Sequence, residues 1–251
     1  MITRPAVLVT GAARRIGASI AGAFAAAGWH VVIHYGSSRD EAEDLAASLP
    51  SAETISADLA DLAAAAMLVD DLAKRLGDWR VLVNCASVFE LDTVTDLHPG
   101  VFDHAMHVNA AAPAVLAQAF LAQARANAGR RVICVTDQKI ANPNPDFFSY
   151  TMSKHALAAT IPMLAMAAPD PRDRIYGLAP GAILASHDQQ EAEIERSHRM
   201  NLLARKTGAD EIAQAALFLS EGWLASGETL FIDSGQHLLS QPRDVLFLAR
   251  Q

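Results

Sequence analysis

The amino-acid sequence predicts a doubly wound α/β fold, in which helices cover both faces of one parallel sheet. Seven short runs rich in β-branched residues alternate with stretches rich in Ala and Leu. These runs are almost continuously apolar, which is typical of strands that are buried on both faces. The chain has 251 residues, of which 51% are hydrophobic and 19% charged, so it has enough apolar material for one large core.

Each strand candidate is a short run that ends near a polar residue or a glycine. In chain order they are AVLVT (6–10), HVVIHY (30–35), ETISA (53–57), RVLVN (80–84), RVICVT (131–136), RIYGLA (174–179) and ETLFID (228–233). The segments between them are long enough for crossover helices, which parallel neighbours require. No internal repeat and no Ser/Gly-rich linker divides the chain, so we expect one domain.

The charge and hydropathy patterns exclude several classes of partner. A formal net charge of −8 without a basic cluster argues against a nucleic-acid partner. The N-terminal residues lack the apolar core of a signal peptide, and the longest apolar stretch noted, residues 155–169, is too short to span a bilayer. We therefore expect a cytoplasmic protein without a membrane partner, in which Cys85 and Cys134 are free thiols.

Ligands of such sheets bind at the carboxyl ends of the strands, so the residues that follow each strand matter most. TGAARRIG follows the first strand and leads into a helix. Gly11 permits a tight turn and Gly17 close packing of the helix, whose N-terminal N–H groups suit a pyrophosphate. The alternative is an ordinary strand-to-helix turn with two exposed arginines.

The second strand is followed by residues that suit a 2′-phosphate. An NAD site usually has an acidic residue here, whereas this chain has Ser37, Ser38 and Arg39. Together with Arg14, these side chains can donate hydrogen bonds to phosphate oxygens, which predicts NADPH as the cofactor. A compatible alternative is that Ser37 or Ser38 caps the next helix and that Arg39 is solvated.

Residues 137–157, DQKIANPNPDFFSYTMSKHAL, contain the strongest catalytic candidates. Tyr150 and Lys154 share one face of a helix, and the lysine ammonium is expected to lower the phenol pKa from about 10. Asp137 stands thirteen positions before the tyrosine. A carboxylate in contact with Tyr150 would raise the phenol pKa again, so Asp137 either lies elsewhere or serves a reaction that uses a negative charge.

These residues resemble the short-chain dehydrogenase/reductase family over nearly the whole chain, to about residue 240. The resemblance implies a single Rossmann-type domain formed by residues 1–240. The charged segment 185–201 is interpreted as a substrate lid and residues 241–251 as a C-terminal tail. The matching motifs, in order, are Thr10-Gly11…Gly17, Asp58-Leu59, Asn84-Cys85-Ala86-Ser87, Asn109, Tyr150-x-x-x-Lys154, Pro180-Gly181 and Ser226-Gly227…Asp233-Ser234-Gly235.

The resemblance assigns roles to several of these residues. It implies that Tyr150 delivers the proton, that Lys154 holds the nicotinamide ribose and that Asn109 supports a water beside the lysine. The catalytic candidates are then these three residues and Asp137. The implied cofactor-binding residues are Gly11, Arg14, Arg15, Ile16, Tyr35, Ser37, Ser38, Arg39, Asp58, Leu59, Asn84, Ala86, Lys154, Pro180 and Gly181.

The departures from the family pattern resemble its pteridine reductase branch, which includes dihydromonapterin reductases. Asp137 stands where the family usually has a serine, and Arg15 replaces a glycine. In that branch the pterin lies between the nicotinamide and an aromatic ring. Phe89 is the candidate for that ring, with Ser87 and Arg15 contacting polar atoms of the pterin. The alternative for Phe89 is a core aromatic. One mismatch concerns the cofactor site, where the branch often has an arginine in place of Ser37.

The expected function is therefore NADPH-dependent reduction of a pterin C=N bond, in a dihydropteridine, dihydromonapterin or folate-like substrate. If Asp137 only accepts backbone hydrogen bonds in its loop, a carbonyl reductase acting on a keto acid, a sugar or a 3-oxoacyl thioester becomes the better interpretation. A non-catalytic nucleotide-sensing protein is the third alternative, against which the intact Tyr150 and Lys154 argue.

Two further features concern partners. The Ala-rich segments 110–126 and 155–168 resemble helices through which family members form homodimers and homotetramers. The tail 241–251 packs on a neighbouring subunit or frays. His104 and His107 lack the further ligands that a metal site needs, so they are interpreted as solvated or capping residues.

Overall fold

Seven parallel strands form one sheet within residues 2–183 and 190–251, which are the residues that the computed structural model describes. The strand order is β3-β2-β1-β4-β5-β6-β7. Each observed strand begins and ends within one residue of its predicted bounds, so the predicted fold class is confirmed. The strands are β1 Ala6–Val9, β2 His30–Tyr35, β3 Ala52–Ser56, β4 Trp79–Asn84, β5 Arg131–Val135, β6 Arg174–Pro180 and β7 Thr229–Ile232.

Helices cover both faces of this sheet. Helices α1 and α8 pack together on one face, and α3 and α5 pack together on the other. A π-helical turn, His107–Ala111, joins α4 to α5, and two short 3₁₀ turns occupy Gln138–Ile140 and Gln236–Leu238. The α-helices are α1 Arg15–Ala26, α2 Arg39–Ser48, α3 Leu62–Arg75, α4 Pro99–Met106, α5 Ala112–Gln123, α6 Phe148–Ala167, α7 Glu191–Ser197, α8 Ala209–Ser220 and α9 Val245–Leu248.

The apolar strands are explained by the two cores that they separate. Successive side chains of a strand point to opposite faces, so Leu8 joins the core under α3 and α5 while Val7 and Val9 join the core under α1 and α8. All four residues of β1 are buried, as expected for a central strand of a parallel sheet.

One continuous helical stretch, Pro99–Gln123, is long and apolar enough to cross a membrane by length and composition alone. Within the protein, 56% of its most apolar window is buried, and its Leu116 and Phe120 pack into the core under the sheet. Core packing therefore explains its apolar character.

The C-terminal tail is part of the domain. Val245, Leu246 and Ala249 are buried, and the Arg196 guanidinium of α7 donates a hydrogen bond to the Ala249 carbonyl at 2.9 Å. The prediction that the tail frays is therefore wrong for these residues, while packing on a neighbouring subunit stays a prediction. Residues 185–189 of the predicted lid lie outside the described residues. The rest of the predicted lid includes α7, which contacts the tail.

The core under α5 centres on an aromatic pair. The rings of Trp79 and Phe120 are both fully buried, with centroids 4.8 Å apart in an edge-to-face arrangement. The Trp79 indole N–H donates to the Val81 carbonyl at 2.9 Å, so its polar atom is satisfied.

We expect Phe120→Ala to lower the free energy of unfolding by about 3–5 kcal/mol, because it removes a large side chain and leaves a cavity that the rigid sheet cannot fill. Urea denaturation measures this loss. As a control, Met67→Ala on α3, where the side chain is 68% exposed, should change stability by no more than about 0.5 kcal/mol. Equal losses of stability in the two variants would contradict the role of the Trp79–Phe120 pair in stabilising the core.

Candidate active site

The turns that follow β1 and β4 meet at the carboxyl edge of the sheet, where the strand order reverses. The Thr10 hydroxyl oxygen accepts hydrogen bonds from the backbone N–H groups of Cys85 and Ala86, at 2.9 and 3.0 Å. Gly11 has φ +62°, and a Cβ there would lie 2.8 Å from the Ala86 Cα atom. Only glycine fits this crossing, which is the switch point at which α/β sheets bind ligands.

The first turn has the form of a dinucleotide-binding turn. It leads directly into α1, and a Cβ at Gly17 would lie 2.3 Å from the Gly11 carbonyl oxygen, so the helix packs against the turn itself. Arg14 precedes the helix without a side-chain capping bond, and Arg15 adopts φ +57°. No side chain caps the first N–H groups of α1, and uncapped N–H groups at a helix start suit a pyrophosphate.

A buried histidine that the sequence analysis missed fixes this turn. The His34 ring accepts a hydrogen bond from the Gly11 N–H at its Nδ1 atom, at 3.1 Å. Its Nε2 atom lies 3.1 Å from the Ala57 carbonyl, to which only a protonated nitrogen can donate. His34 thus ties together the ends of β1, β2 and β3, and burial lowers its pKa from 6.5 to about 4.

Three of the residues predicted to bind a 2′-phosphate, Ser37, Ser38 and Arg39, lie at the start of α2, and the fourth, Arg14, precedes α1. The Arg14 guanidinium is 3.3 Å from the Glu41 carboxylate, and Arg39 is 3.8 Å from Glu43; all four side chains are exposed. Ser38 occupies the N-cap position of α2, but its hydroxyl makes no capping bond. The capping alternative is therefore wrong for Ser38, and the exposed Ser37 lies beside it.

The other predicted cofactor residues differ in their surroundings. Asn84 is buried beneath α5, where its amide donates to the Pro113 carbonyl at 3.3 Å, so its side chain does not face the cleft. Asp58 is exposed and accepts a bond from the Ala60 N–H at 2.9 Å. The side chains of three others pack into the cores and leave mainly their backbone for a ligand: Ile16, Tyr35 and Leu59.

The end of β6 supplies another close approach. Pro180 is buried as the last residue of the strand. A Cβ at Gly181 would lie 2.8 Å from the Gln236 side-chain oxygen, and that oxygen accepts the Ala182 N–H at 2.9 Å. The glycine is therefore required where the chain leaves the sheet.

Asp137 and Tyr150 are in direct contact. The tyrosine hydroxyl donates a hydrogen bond of 2.7 Å to Asp137 Oδ2. Asp137 Oδ1 accepts the Lys139 backbone N–H at 2.8 Å, so one oxygen has a structural role while the other faces the phenol. Burial raises the pKa of Asp137, against the opposing effect of the Lys139 charge and its N–H group.

The expected effect of Lys154 on the phenol is wrong. Burial, followed by the charge of Asp137, raises the pKa of Tyr150 well above its ordinary value, and the cation that opposes this is Arg15. Lys154 is buried, its ammonium donates to the Val135 carbonyl at 2.8 Å, and burial lowers its pKa. Tyr150 therefore keeps its proton at neutral pH and acts as a hydrogen-bond donor.

Asn109 positions the loop that follows β4. It lies buried in the π-helical turn, and its side chain exchanges two hydrogen bonds with the Val88 backbone, at 2.8 and 3.0 Å. It also donates to the Ser153 hydroxyl of α6 at 3.0 Å. A π-turn re-aims a side chain within a helix, and here it connects α6 to the loop that carries Phe89.

Phe89 lies at the mouth of the cleft with 43% of its surface exposed, so the alternative of a core aromatic is wrong. Its ring stacks on Phe147 with centroids 4.0 Å apart and meets the Tyr150 ring edge-on at 4.7 Å. Phe147 was not predicted as a site residue, because its strained φ of +53° appears only in the structure. Ser87 and Arg15 are exposed near the same cleft.

The remaining reactive residues lie outside this arrangement. His104 lies 2.9 Å from the Glu90 carboxylate, and within residues 2–183 and 190–251 no group of three potential metal ligands converges. Cys85 and Cys134 carry free thiols, and burial raises the pKa of each to about 11. Neither is a reactive thiolate at neutral pH.

Known proteins resemble this chain in sequence and in fold. A sequence profile of the family described as Enoyl-(Acyl carrier protein) reductase matches residues 11–237. The granaticin polyketide synthase putative ketoacyl reductase 2 of Streptomyces violaceoruber is 30% identical, over 94% of this chain and 97% of that protein. Pteridine reductase 1 of Leishmania tarentolae is 29% identical, over 94% and 97%. The crystal structure of FolM alternative dihydrofolate reductase 1 from Brucella canis, complexed with NADP, has a TM-score of 0.88 and 34% identity, over 97% and 98%.

The buried His34 predicts a specific pH dependence of stability. Between pH 6.5 and 4 the unfolded chain protonates this histidine while the folded protein does not, so the stability that it contributes is lost as the pH falls through that window. A pKa difference of this size corresponds to about 3 kcal/mol.

We expect the free energy of unfolding of His34→Gln to lack this part of the pH dependence, because glutamine cannot bind the proton. Urea denaturation at several pH values measures the difference between the variant and the parent. The matched control is His155→Gln, which changes an exposed histidine on α6 and should leave the pH dependence as it is. Parallel curves for the parent and His34→Gln would refute the assignment.

Proposed function

The chain belongs to the short-chain dehydrogenase/reductase family, and from this premise we propose that it is an NADPH-dependent reductase of a pterin C=N bond. The observation that carries the proposal is the 2.7 Å hydrogen bond between the Tyr150 hydroxyl and the Asp137 carboxyl group. It places two proton-holding groups side by side at the mouth of the cleft. NADPH, when bound, supplies the hydride.

The carboxyl group favours a C=N substrate over a ketone. Reduction of a ketone generates an oxyanion, which a neighbouring carboxylate would repel. Reduction of a C=N bond leaves a nitrogen that must gain a proton, and a carboxyl group can stabilise the protonated nitrogen or pass a proton to it. Burial raises the pKa of Asp137, so this carboxyl group holds a proton more readily than an exposed aspartate does.

The surrounding residues support a flat substrate. The Phe89 side chain is 43% exposed and meets the Tyr150 ring edge-on, and a pterin ring can stack on an exposed aromatic side chain. Asn109 holds the loop that carries this ring, and Lys154 is held against Val135 beneath the tyrosine. Ser87 and Arg15 are then the candidates for contacts with polar atoms of the pterin.

The residues at the first turn and at α2 are those that would hold NADPH. The uncapped start of α1 suits the pyrophosphate, and the exposed Arg14, Ser37 and Arg39 and the half-buried Ser38 are the candidates for holding a 2′-phosphate. FolM alternative dihydrofolate reductase 1, which shares this fold, was crystallised with NADP.

A carbonyl reductase is the second candidate, and one observation favours it. Asp137 Oδ1 accepts the Lys139 N–H and so has a structural role irrespective of the chemistry. The similarity to a putative ketoacyl reductase points the same way. A nucleotide-sensing protein has less support, since Tyr150 and Lys154 are both present and close together.

Cytoplasmic localisation and assembly into a homodimer or homotetramer stay predictions. Assembly is supported by the exposed methionines of α6, Met152, Met163 and Met166. Large exposed apolar side chains on one helix are typical of a surface that another protein covers.

We expect purified protein with NADPH to reduce dihydrobiopterin, dihydromonapterin or dihydrofolate faster than a 3-oxoacyl thioester, by kcat/KM. Asp137→Ser should lower kcat for the pterin at least about tenfold, because it removes the acidic group and leaves only a hydroxyl. It should leave NADPH affinity intact.

The matched control is Asp61→Ser, which changes an aspartate that caps α3 and should not alter kcat. Reduction of pterins by Asp137→Ser at the parent rate would show that Asp137 has no chemical role. Preference of the parent for the thioester would favour the carbonyl reductase.

The cofactor assignment predicts that kcat/KM is at least about tenfold higher with NADPH than with NADH, the size expected when a charged hydrogen bond is lost. Arg14→Met should reduce this ratio by lowering kcat/KM with NADPH, while kcat/KM with NADH stays the same. The exposed and remote Arg125→Met is the control and should keep the ratio. Equal values for the two cofactors in the parent would exclude a bound 2′-phosphate.

A further inference from the structure

A buried ion pair joins the turn that carries Asp137 to the C-terminal segment 243–249. Lys139 is 4% exposed, and its ammonium lies 2.7 Å from the carboxylate of Asp244, a residue more than a hundred positions further along the chain. The same ammonium donates to the Asn144 side-chain oxygen at 3.3 Å and to the Asp146 carbonyl at 3.2 Å. The cation therefore sits in a complete shell of oxygen acceptors.

The pair acts on the catalytic candidates through short connections. The backbone N–H of Lys139 holds Asp137 Oδ1, and the ammonium of Lys139 lies over the Phe147 ring at 5.1 Å. From the other side, Leu246 packs with Phe147 and Tyr150 in one buried cluster. The C-terminal segment thus touches the catalytic tyrosine and the residue that holds the catalytic carboxyl group.

The segment itself is firmly attached. Asp244 Oδ1 accepts the Leu246 N–H at 3.0 Å, which caps α9, and the Asp244 N–H donates to the Asp146 carboxylate at 2.8 Å. Arg243 pairs with the same carboxylate at 2.7 Å. Asp244 is therefore fixed in position before any ligand binds.

We propose that Asp244 is a positioning residue for this active site: by pairing with Lys139 it fixes the turn that carries Asp137 and neutralises the cation next to that carboxyl group. This inference rests on the proposed function only for its kinetic consequence. Without Asp244, the lysine charge would favour the carboxylate form of Asp137, which cannot donate a proton.

The charges that face this region come from four elements. A cation beside Asp137 favours ionisation, and an anion opposes it, so the balance among them decides how readily Asp137 holds a proton. The groups are Lys139 on the turn itself, Tyr150 and Lys154 on α6, Arg15 at the start of α1, and Asp146, Arg243 and Asp244 around the lysine.

The test follows the titration of Asp137 by NMR in protein with ¹³C-labelled aspartate carboxyl groups, and the signal is assigned by its loss in Asp137→Ser. Asp244→Asn keeps the size and capping ability of the side chain but removes its charge. We expect it to lower the pH midpoint of Asp137 by about one unit, whereas Lys139→Met should raise the midpoint by about one unit. The double variant should return close to the parent.

Shifts of opposite sign in the two single variants distinguish this proposal from simple loosening of the tail. Loosening would move the pH midpoint of Asp137 in the same direction in both variants. Arg250→Gln is the matched control, since it removes the tail's ion pair with Glu193 on α7, which does not involve Lys139 or Asp244, and should leave the midpoint as it is. Unchanged midpoints, or shifts of one sign in both single variants, overturn the proposal. If Asp244→Asn does not fold, Lys139→Met and the double variant decide, because only the proposal requires the double variant to reverse the shift.

The kinetic arm uses dihydrobiopterin and NADPH. The pH above which kcat falls should move down in Asp244→Asn and up in Lys139→Met, parallel to the NMR midpoints. Absence of pterin turnover in the parent would refute the proposed function, while the NMR shifts would still decide the role of Asp244. NMR shifts without a kinetic shift would show that Asp244 sets the charge of Asp137 but not the rate, which also overturns the proposal.

Discussion

The contact between Tyr150 and Asp137 is the interaction on which the surrounding structure depends. Removing a phenol and a carboxyl group from water is unfavourable unless their polar atoms are satisfied. The contact itself satisfies the phenol and one carboxyl oxygen, and the Lys139 N–H donates to the other oxygen. The ammonium of the buried Lys154 in turn donates to the Val135 carbonyl. Burial also strengthens each charge effect, because the effective dielectric constant around these groups is lower than in water.

Local sequence patterns predicted most of the fold. Strands that are buried on both faces appear as short apolar runs, and the turns after them appear as glycines and polar residues, so both are visible in a single sequence. The order of the candidate residues along the chain also located the cleft. What no local pattern contains is the pairing of distant residues, such as His34 with Ala57 or Lys139 with Asp244, because such pairs depend on how the chain crosses the sheet.

The errors at the site have one physical cause. Helical spacing indicated that Lys154 approaches Tyr150, and its ammonium does lie 5.6 Å from the ring centroid, yet the phenol pKa rises. Helical spacing predicts the distance between two side chains but not how deeply they are buried. Here the desolvation of the Tyr150 phenol outweighs the effect of Lys154, whose ammonium is hydrogen-bonded to Val135. Burial also explains Asn84, which ends β4 next to the turn at the switch point but whose side chain donates to the Pro113 carbonyl of α5. Alternation along a strand decides the face on which a side chain lies, whereas the covering helix decides whether a ligand can reach it.

The start of α6 shows how the structure accommodates strain to place the tyrosine. Phe147 adopts φ +53°, a conformation that costs a non-glycine residue about 1–3 kcal/mol. Several contacts offset this cost: the Phe147 ring stacks on Phe89, and Asp92 accepts both the N–H and the hydroxyl of Ser149. The left-handed Phe147 turns the chain sharply out of residues 140–146, a stretch rich in Pro and Asn, so that α6 begins at the next residue, Phe148, and Tyr150 faces Asp137 across the turn. The strain is located where the catalytic geometry is set, which is what a preorganised site requires.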